Sequence, residues 1–132
     1  MQTSNFWNYP EGNNRIAICR AVPRGMKPGY RHYRKLAPGS WFNTSPYKDS
    51  QEIFAERYFD EILEPLNAAQ EWEYLHQLSG GAEPVLLCWE HLHKQGEWCH
   101  RRMVADWFMK ELGIDVPEYE VEKVEDRQLV LV

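Results

Sequence analysis

Two short runs that are apolar on both of their faces limit the fold more than any other feature of the chain. The first is RIAICRAV, Arg15 to Val22, in which Ile16, Ile18 and Arg20 alternate with Ala17, Cys19 and Ala21. The second is EPVLLCWE, Glu83 to Glu90, in which Val85, Leu87 and Trp89 alternate with Leu86, Cys88 and Glu90. Successive strand residues point to opposite sides, so strands of this kind must be covered on both. Helical stretches separate and follow the two runs. That order predicts an α/β domain with a small, mostly parallel sheet flanked by helices, a Rossmann-like three-layer arrangement.

The helices follow from apolar spacing. Asp49 to Leu66 carries Phe54, Tyr58 and Ile62 beside Phe59, Leu63 and Leu66, with Asp49 and Glu52 as a capping box. Pro65 bends or ends it, and a second helix runs from about Asn67 to Leu78 before Gly80-Gly81. A third, from Trp98 or Cys99 to Leu112, turns His100, Val104, Trp107, Phe108 and Leu112 inward and stops at Gly113.

The rest reads as loops and a short extension. Residues 1–14 are polar and rich in turn formers, a lead-in loop. Residues 23–48 are broken by Pro23, Gly25, Pro28, Gly29, Pro38, Gly39 and Pro46, which leaves a long loop with at most a helical turn near Tyr30–Lys35. Its aromatics Tyr30, Tyr33, Trp41, Phe42 and Tyr47 argue that it is packed and ordered. Residues 114–132 read as a C-terminal strand or hairpin, Tyr119–Val124 and Gln128–Val132. The 132 residues fit a single domain.

Charge is unevenly placed. The formal net charge is −5, yet Asn13 to Lys48 holds eight Lys and Arg and no Asp or Glu, a block of +8. The remainder holds seven basic and twenty acidic residues, −13. An acidic chain argues against general DNA coating but leaves room for a local basic site. The longest apolar run, Val85–Trp89, is far too short to span a bilayer, so no membrane association is expected. The start MQTSNFWNYP lacks a basic region and an apolar stretch, which argues against a secretory signal. Three cysteines without framework spacing suit a reducing, cytoplasmic location.

Ligands of open parallel sheets bind beyond the carboxyl ends of the strands. Here those ends are Arg20, followed by Val-Pro-Arg24, and Cys88-Trp89-Glu90, whose loop leads to Cys99-His100-Arg101 at a helix start. A helix start favours an anion. Arg101 and His100 are expected to face the strand ends, whereas Arg102 pairs weakly with Asp106 on the solvent side. Glu90 is either a general acid/base or hydroxyl acceptor, or an ion-pair partner of Arg20 or Arg101. Cys99 is either an activated thiolate or a packing residue, and His100 either a proton carrier or a satisfied core histidine. His91 and His93 read as solvated. Cys88, Cys99 and His100 are weighed as a zinc site, but adjacent Cys and His rarely reach one tetrahedral ion and no CxxC is present, so no metal is expected. GxGxxG, Walker A, GxSxG and HExxH are all absent, and no cofactor is expected.

At Cys88-Trp89-Glu90, followed after a loop by Cys99-His100-Arg101 and an aromatic-rich helix, the sequence resembles a family of bacterial and phage proteins, domain of unknown function 488 (DUF488). Cys19-Arg20-Ala-Val-Pro23-Arg24 and the Tyr33, Leu36, Ala37, Pro38 pattern resemble its short members. The resemblance implies an α/β fold and a site at these residues, and carries no assigned reaction. The residues themselves suggest binding or processing of a phosphorylated ligand, a nucleotide or a nucleic-acid end. Arg20, Arg24 and Arg101 would meet phosphate, Tyr33 and its neighbours would stack on a base, and Cys88 with Glu90, Cys99 and His100 would line the reacting end. The alternative is a protein-binding modulator without catalytic activity, its opposed charge blocks suited to a charged partner or to homo-oligomers.

Overall fold

The computed structural model describes residues 1–92, 94 and 96–121. Four short strands, β1 (Gln2–Asn5), β2 (Arg15–Ala17), β3 (Arg31–His32) and β4 (Val85–Cys88), form one sheet in the order β1-β4-β2-β3. Every neighbouring pair is parallel, with Thr3 opposite Leu86, Ile16 opposite Leu86 and Ala17 opposite His32. The helices are α1 (Gln51–Tyr58), continued by a π turn over Phe59–Leu63, α2 (Ala68–Leu78) and α3 (His100–Leu112). The α/β expectation therefore holds, with a small parallel sheet.

The alternation read from the two apolar runs separates the core into two clusters. Ile16, Ile18 and Leu86 pack with Phe54 and Tyr58 of α1, Leu75 of α2, and Val104, Trp107 and Phe108 of α3. Ala17, Cys19, Val85 and Leu87 join Phe6 on the opposite face, where Tyr9, Val22, Met26, Tyr30 and Leu92 close over them. All three helices thus cover one face, and loops, rather than a second helical layer, cover the other. The connections between β1 and β2 (6–14) and between β2 and β3 (18–30) explain this: they are too short and too rich in Pro and Gly to carry a helix.

Two strands lie where loops are expected. β1 falls in the lead-in segment, and its Thr3, Ser4 and Asn5 are polar yet wholly buried. Side-chain partners satisfy two of the three: Asn5 Oδ1 accepts from the Trp7 and Asn8 amides at 2.9 and 2.8 Å, and Thr3 Oγ1 donates to Glu118 at 2.6 Å, whereas Ser4 Oγ is buried with no partner among the described residues. β3 is two residues within the Pro/Gly-rich segment. The rest of that segment is ordered by packing, as its aromatics suggest. Trp41 sits against Tyr47 and Phe54 and donates to Glu61 at 2.6 Å, while Leu36 is fully buried.

Arg15 opens β2 with no exposed surface. Its guanidinium donates to the carbonyls of Gly12, Pro10, Lys27 and Pro28 at 2.7 to 2.9 Å, joining the two loops that cover the helix-free face.

Helix ends follow their capping chemistry with one change. α1 is capped by Ser50, which accepts from the Ile53 amide at 3.2 Å, because Asp49 is engaged by the Ser45 hydroxyl at 2.6 Å. Asn67 caps α2, accepting from the Gln70 amide at 3.0 Å. Asn67→Ala should therefore lower the unfolding free energy by about 1 kcal/mol, read as a lower denaturant midpoint at unchanged slope. α3 ends at Gly113, whose φ of +68° is left-handed.

After α3 the chain returns to the sheet edge. Val116 is buried, and Glu118 forms a single parallel bridge to Thr3. Half of the strand expected over Tyr119–Val124, and all of that over Gln128–Val132, lie outside the described residues. Among the described residues no helix is long and apolar enough to cross a membrane.

Candidate functional site

Because β2 and β4 are parallel neighbours, their carboxyl ends open on the same edge of the sheet. A cavity of about 650 Å³ lies there. Arg20 and Cys19 reach it from the end of β2, and Cys88, Trp89 and Glu90 from the end of β4. His100 enters from the first turn of α3, with Trp98 just before it. Pro38, Phe42, Asn43 and Lys48 of the long Pro/Gly-rich segment complete the wall. That segment is thus the cover of the cavity, which explains why so irregular a stretch is held by buried aromatics.

Cys88 and His100 line the cavity and Cys99 lies beside them, all three 5% exposed or less. Cys99 is the N-cap of α3, with extended φ and ψ of −149° and 146°, whereas His100 is already helical. The change of backbone conformation between them lets adjacent side chains converge. His100 Nδ1 lies 3.4 Å from Cys88 Sγ and 3.8 Å from Cys99 Sγ, and the three donor atoms all fall within 4.8 Å of one another. This overcomes the sequence-based objection that neighbouring Cys and His cannot meet at one point. On the other side of the ring, His100 Nε2 is 2.6 Å from the Ile18 carbonyl. A carbonyl only accepts, so Nε2 carries a proton and Nδ1 faces the sulfurs. The Tyr58 ring packs edge-on to the imidazole at 5.4 Å, its hydroxyl fixed on the Leu36 carbonyl at 2.6 Å.

The cluster is electrically coupled. Burial, a hydrogen bond with Cys99 and that sulfur's charge hold the Cys88 thiol well above the ordinary thiol range. Burial also opposes ionisation of Cys99, but hydrogen bonds from Cys88 and His100 and the charges of His100 and Arg101 outweigh it, and its thiol lies well below that range. Burial disfavours the charged form of His100, yet the Cys99 sulfur and the Ile18 carbonyl raise its pKa on balance. Burial, then the neighbouring Cys99 charge, pushes Glu90 up to about 7. Glu90 Oε2 is buried with no hydrogen-bond partner among the described residues. No ion pair joins Glu90 to Arg20 or Arg101 among those residues. Arg20 instead donates to the Pro38 carbonyl at 3.1 Å.

Three of the residues expected at the site stand elsewhere. Arg101 turns away from the cavity and is fully buried, donating through Nε and Nη2 to the two carboxylate oxygens of Glu118 at 3.0 and 2.8 Å. The Tyr33 hydroxyl donates to Glu71 of α2, which also pairs with Lys35 at 2.9 Å. Arg24 is exposed and is not part of the cavity wall. Arg102, expected on the solvent side, is half-buried and donates to Thr3 Oγ1 at 2.9 Å and the Val116 carbonyl at 2.7 Å. His91, expected to be solvated, stacks on Trp7 at 5.2 Å, and His93 lies outside the described residues. Sequence reasoning missed Lys48, Phe42, Trp89 and Trp98 as cavity residues. Lys48 carried a signal as the last cation of the basic block, and Trp89 one as the middle residue of the Cys88-Trp89-Glu90 strand end.

Fold and site together define a parallel α/β domain whose strand-end cavity borders a cluster of two cysteines and a histidine. Residues 9–108 match the family model described as domain of unknown function DUF488, and the chain belongs to that family. Cys88, Glu90, Cys99, His100 and Arg101 all fall within the matched span. Among curated proteins and among solved structures, nothing matches the chain.

Proposed function

We propose that the strand-end cavity binds a phosphorylated ligand with an aromatic ring, a nucleotide or a nucleic-acid end. The observation that supports this reading is the joint presence of two cations and several aromatic rings on one cavity wall: Arg20 and Lys48, with Phe42, Trp89 and Trp98. A guanidinium and an ammonium meet phosphate oxygens by charge-assisted hydrogen bonds, and aromatic faces stack on a base. Some 650 Å³ is ample for such a molecule. Glu90, on the same wall, is placed to accept from a ligand hydroxyl or to serve as acid or base. Cys88 and His100 lie at the inner end, with Cys99 behind them. Three unpaired cysteines suit work in the reducing cytoplasm.

Isothermal titration against a panel of nucleotides and short single strands tests the reading. Arg20→Ala should weaken binding by about 10- to 100-fold, the value of a hydrogen bond to a charged group. Arg24→Ala should leave binding unchanged, because Arg24 stands outside the cavity wall. Absence of binding by the intact protein, or binding indifferent to both Arg20→Ala and Lys48→Ala, would overturn it. A salt-dependent increase in size-exclusion mass without nucleotide binding would favour a protein-binding role instead.

A further inference from the structure

We propose that Cys88 Sγ, Cys99 Sγ and His100 Nδ1 form a binding site for one zinc ion, with a fourth coordination position open toward the cavity beside Glu90. The two sulfur–nitrogen distances are those of a tetrahedral site, and the two sulfurs lie within 4.8 Å of each other. Zinc–sulfur and zinc–nitrogen bonds of about 2.3 and 2.0–2.1 Å at tetrahedral angles require sulfur and nitrogen about 3.5–3.6 Å apart. The observed separations, 3.4 and 3.8 Å, bracket that value.

The histidine is oriented as a ligand would be. Metal-bound imidazoles donate the other ring N–H to a carbonyl or carboxylate, which fixes the tautomer. Here the Ile18 carbonyl does so at 2.6 Å, and Tyr58 holds the ring plane. Two thiolates and one imidazole are a soft donor set that favours zinc over calcium or magnesium. With both sulfurs ionised as ligands, the divalent ion balances their buried charge. Two protons leave for solvent as the metal binds, one from the Cys88 thiol and one shared between Cys99 Sγ and His100 Nδ1, with no change in oxidation state. The three ligands leave one tetrahedral position, and Cys88 and His100 border the cavity from which a water would fill it. None of these atoms belongs to Arg20 or Lys48, so the site stands whether or not the cavity takes a phosphorylated ligand.

The intact protein, stripped with a chelator and titrated with zinc, should take up one ion per chain. Titration with cobalt(II) should give the intense visible bands of a tetrahedral site and a sulfur-to-metal charge-transfer band, readouts that need no variant. Cys88→Ser, Cys99→Ser and His100→Ala should each weaken zinc binding by more than about 100-fold, the upper end of what loss of an outer-shell partner costs. Cys19→Ser should keep full zinc uptake, because the Cys19 thiol donates instead to the Ala21 carbonyl at 3.0 Å. No stoichiometric zinc, a cobalt spectrum without the charge-transfer band, or preference for copper(I) with zinc rejected would each overturn the assignment. So would air oxidation of Cys88 and Cys99 to a disulfide that zinc does not prevent.

Discussion

Arg15→Met is expected to lower the unfolding free energy by about 4 kcal/mol, a large part of the stability of a domain this size. Four short hydrogen bonds run from one buried guanidinium to the carbonyls of Pro10, Gly12, Lys27 and Pro28. Bonds to a charged donor contribute roughly 1.5–3 kcal/mol each, but they are not additive when they share one group. The four acceptors belong to exposed residues, so water would replace part of what is lost. What water cannot replace is the link between residues 10–12 and 27–28, which hold the loops over Ala17, Val85 and Leu87. Arg15→Lys should recover only a minor part, because an ammonium lacks the planar fork that serves four directions. Denaturant unfolding followed by tryptophan fluorescence measures the effect. A loss below about 1 kcal/mol for Arg15→Met would show that the helix-free face is held by apolar packing alone.

Glu118→Ala is expected to cost about 3 kcal/mol. Removing one member of a buried pair leaves the other charge without compensation. Arg101 has no exposed side-chain surface and its bidentate partner is Glu118, while Glu118 is itself 28% exposed, which moderates the loss. The double replacement Arg101→Met with Glu118→Leu should recover most of the stability, since apolar residues of similar volume often substitute for a buried pair at little cost. The pair ties α3 to the returning chain and stands apart from the cavity. The double variant should therefore bind nucleotides as the intact protein does, whereas Arg20→Ala should not. Loss of binding in a folded double variant would return Arg101 to the ligand site.

The +8 block looks different in three dimensions. Arg15 is consumed as a structural clamp, Lys27 pairs with Glu11, and Lys35 pairs with Glu71. Arg20 and Lys48, far apart in the sequence, both line the strand-end cavity. A linear excess of charge thus resolves into one structural cation, one surface pair, one pair to the buried Glu71, exposed arginines and two cations lining the cavity. The acidic total excludes little about that site, because two cations at a cavity act locally.

The readable parts of the fold were those governed by short-range periodicity. Val85 to Cys88 and Ile16 to Cys19 had to be buried segments because neither face offered water a polar side chain until Arg20 and Glu90. Asn67 and Gly113 mark helix ends through chemistry local to one turn. β1 was hidden because its residues are polar, and only partners such as Glu118, Trp7 and Asn8 make Thr3 and Asn5 fit an interior. Arg102 was misplaced for a related reason: its acceptors, Thr3 and Val116, come from opposite ends of the described chain.

By itself, the sequence determined the class of fold, the family to which the chain belongs and most of the segments that line the strand-end cavity. Only the tertiary structure decided which of those residues meet. Cys99 and His100 converge on Cys88 because a helix cap changes the backbone direction between them. Arg101 leaves the site because a distant glutamate folds back beside it. Local pattern dictates which face of an element is buried, but the direction of a side chain at a strand end or helix cap depends on segments far away in the chain.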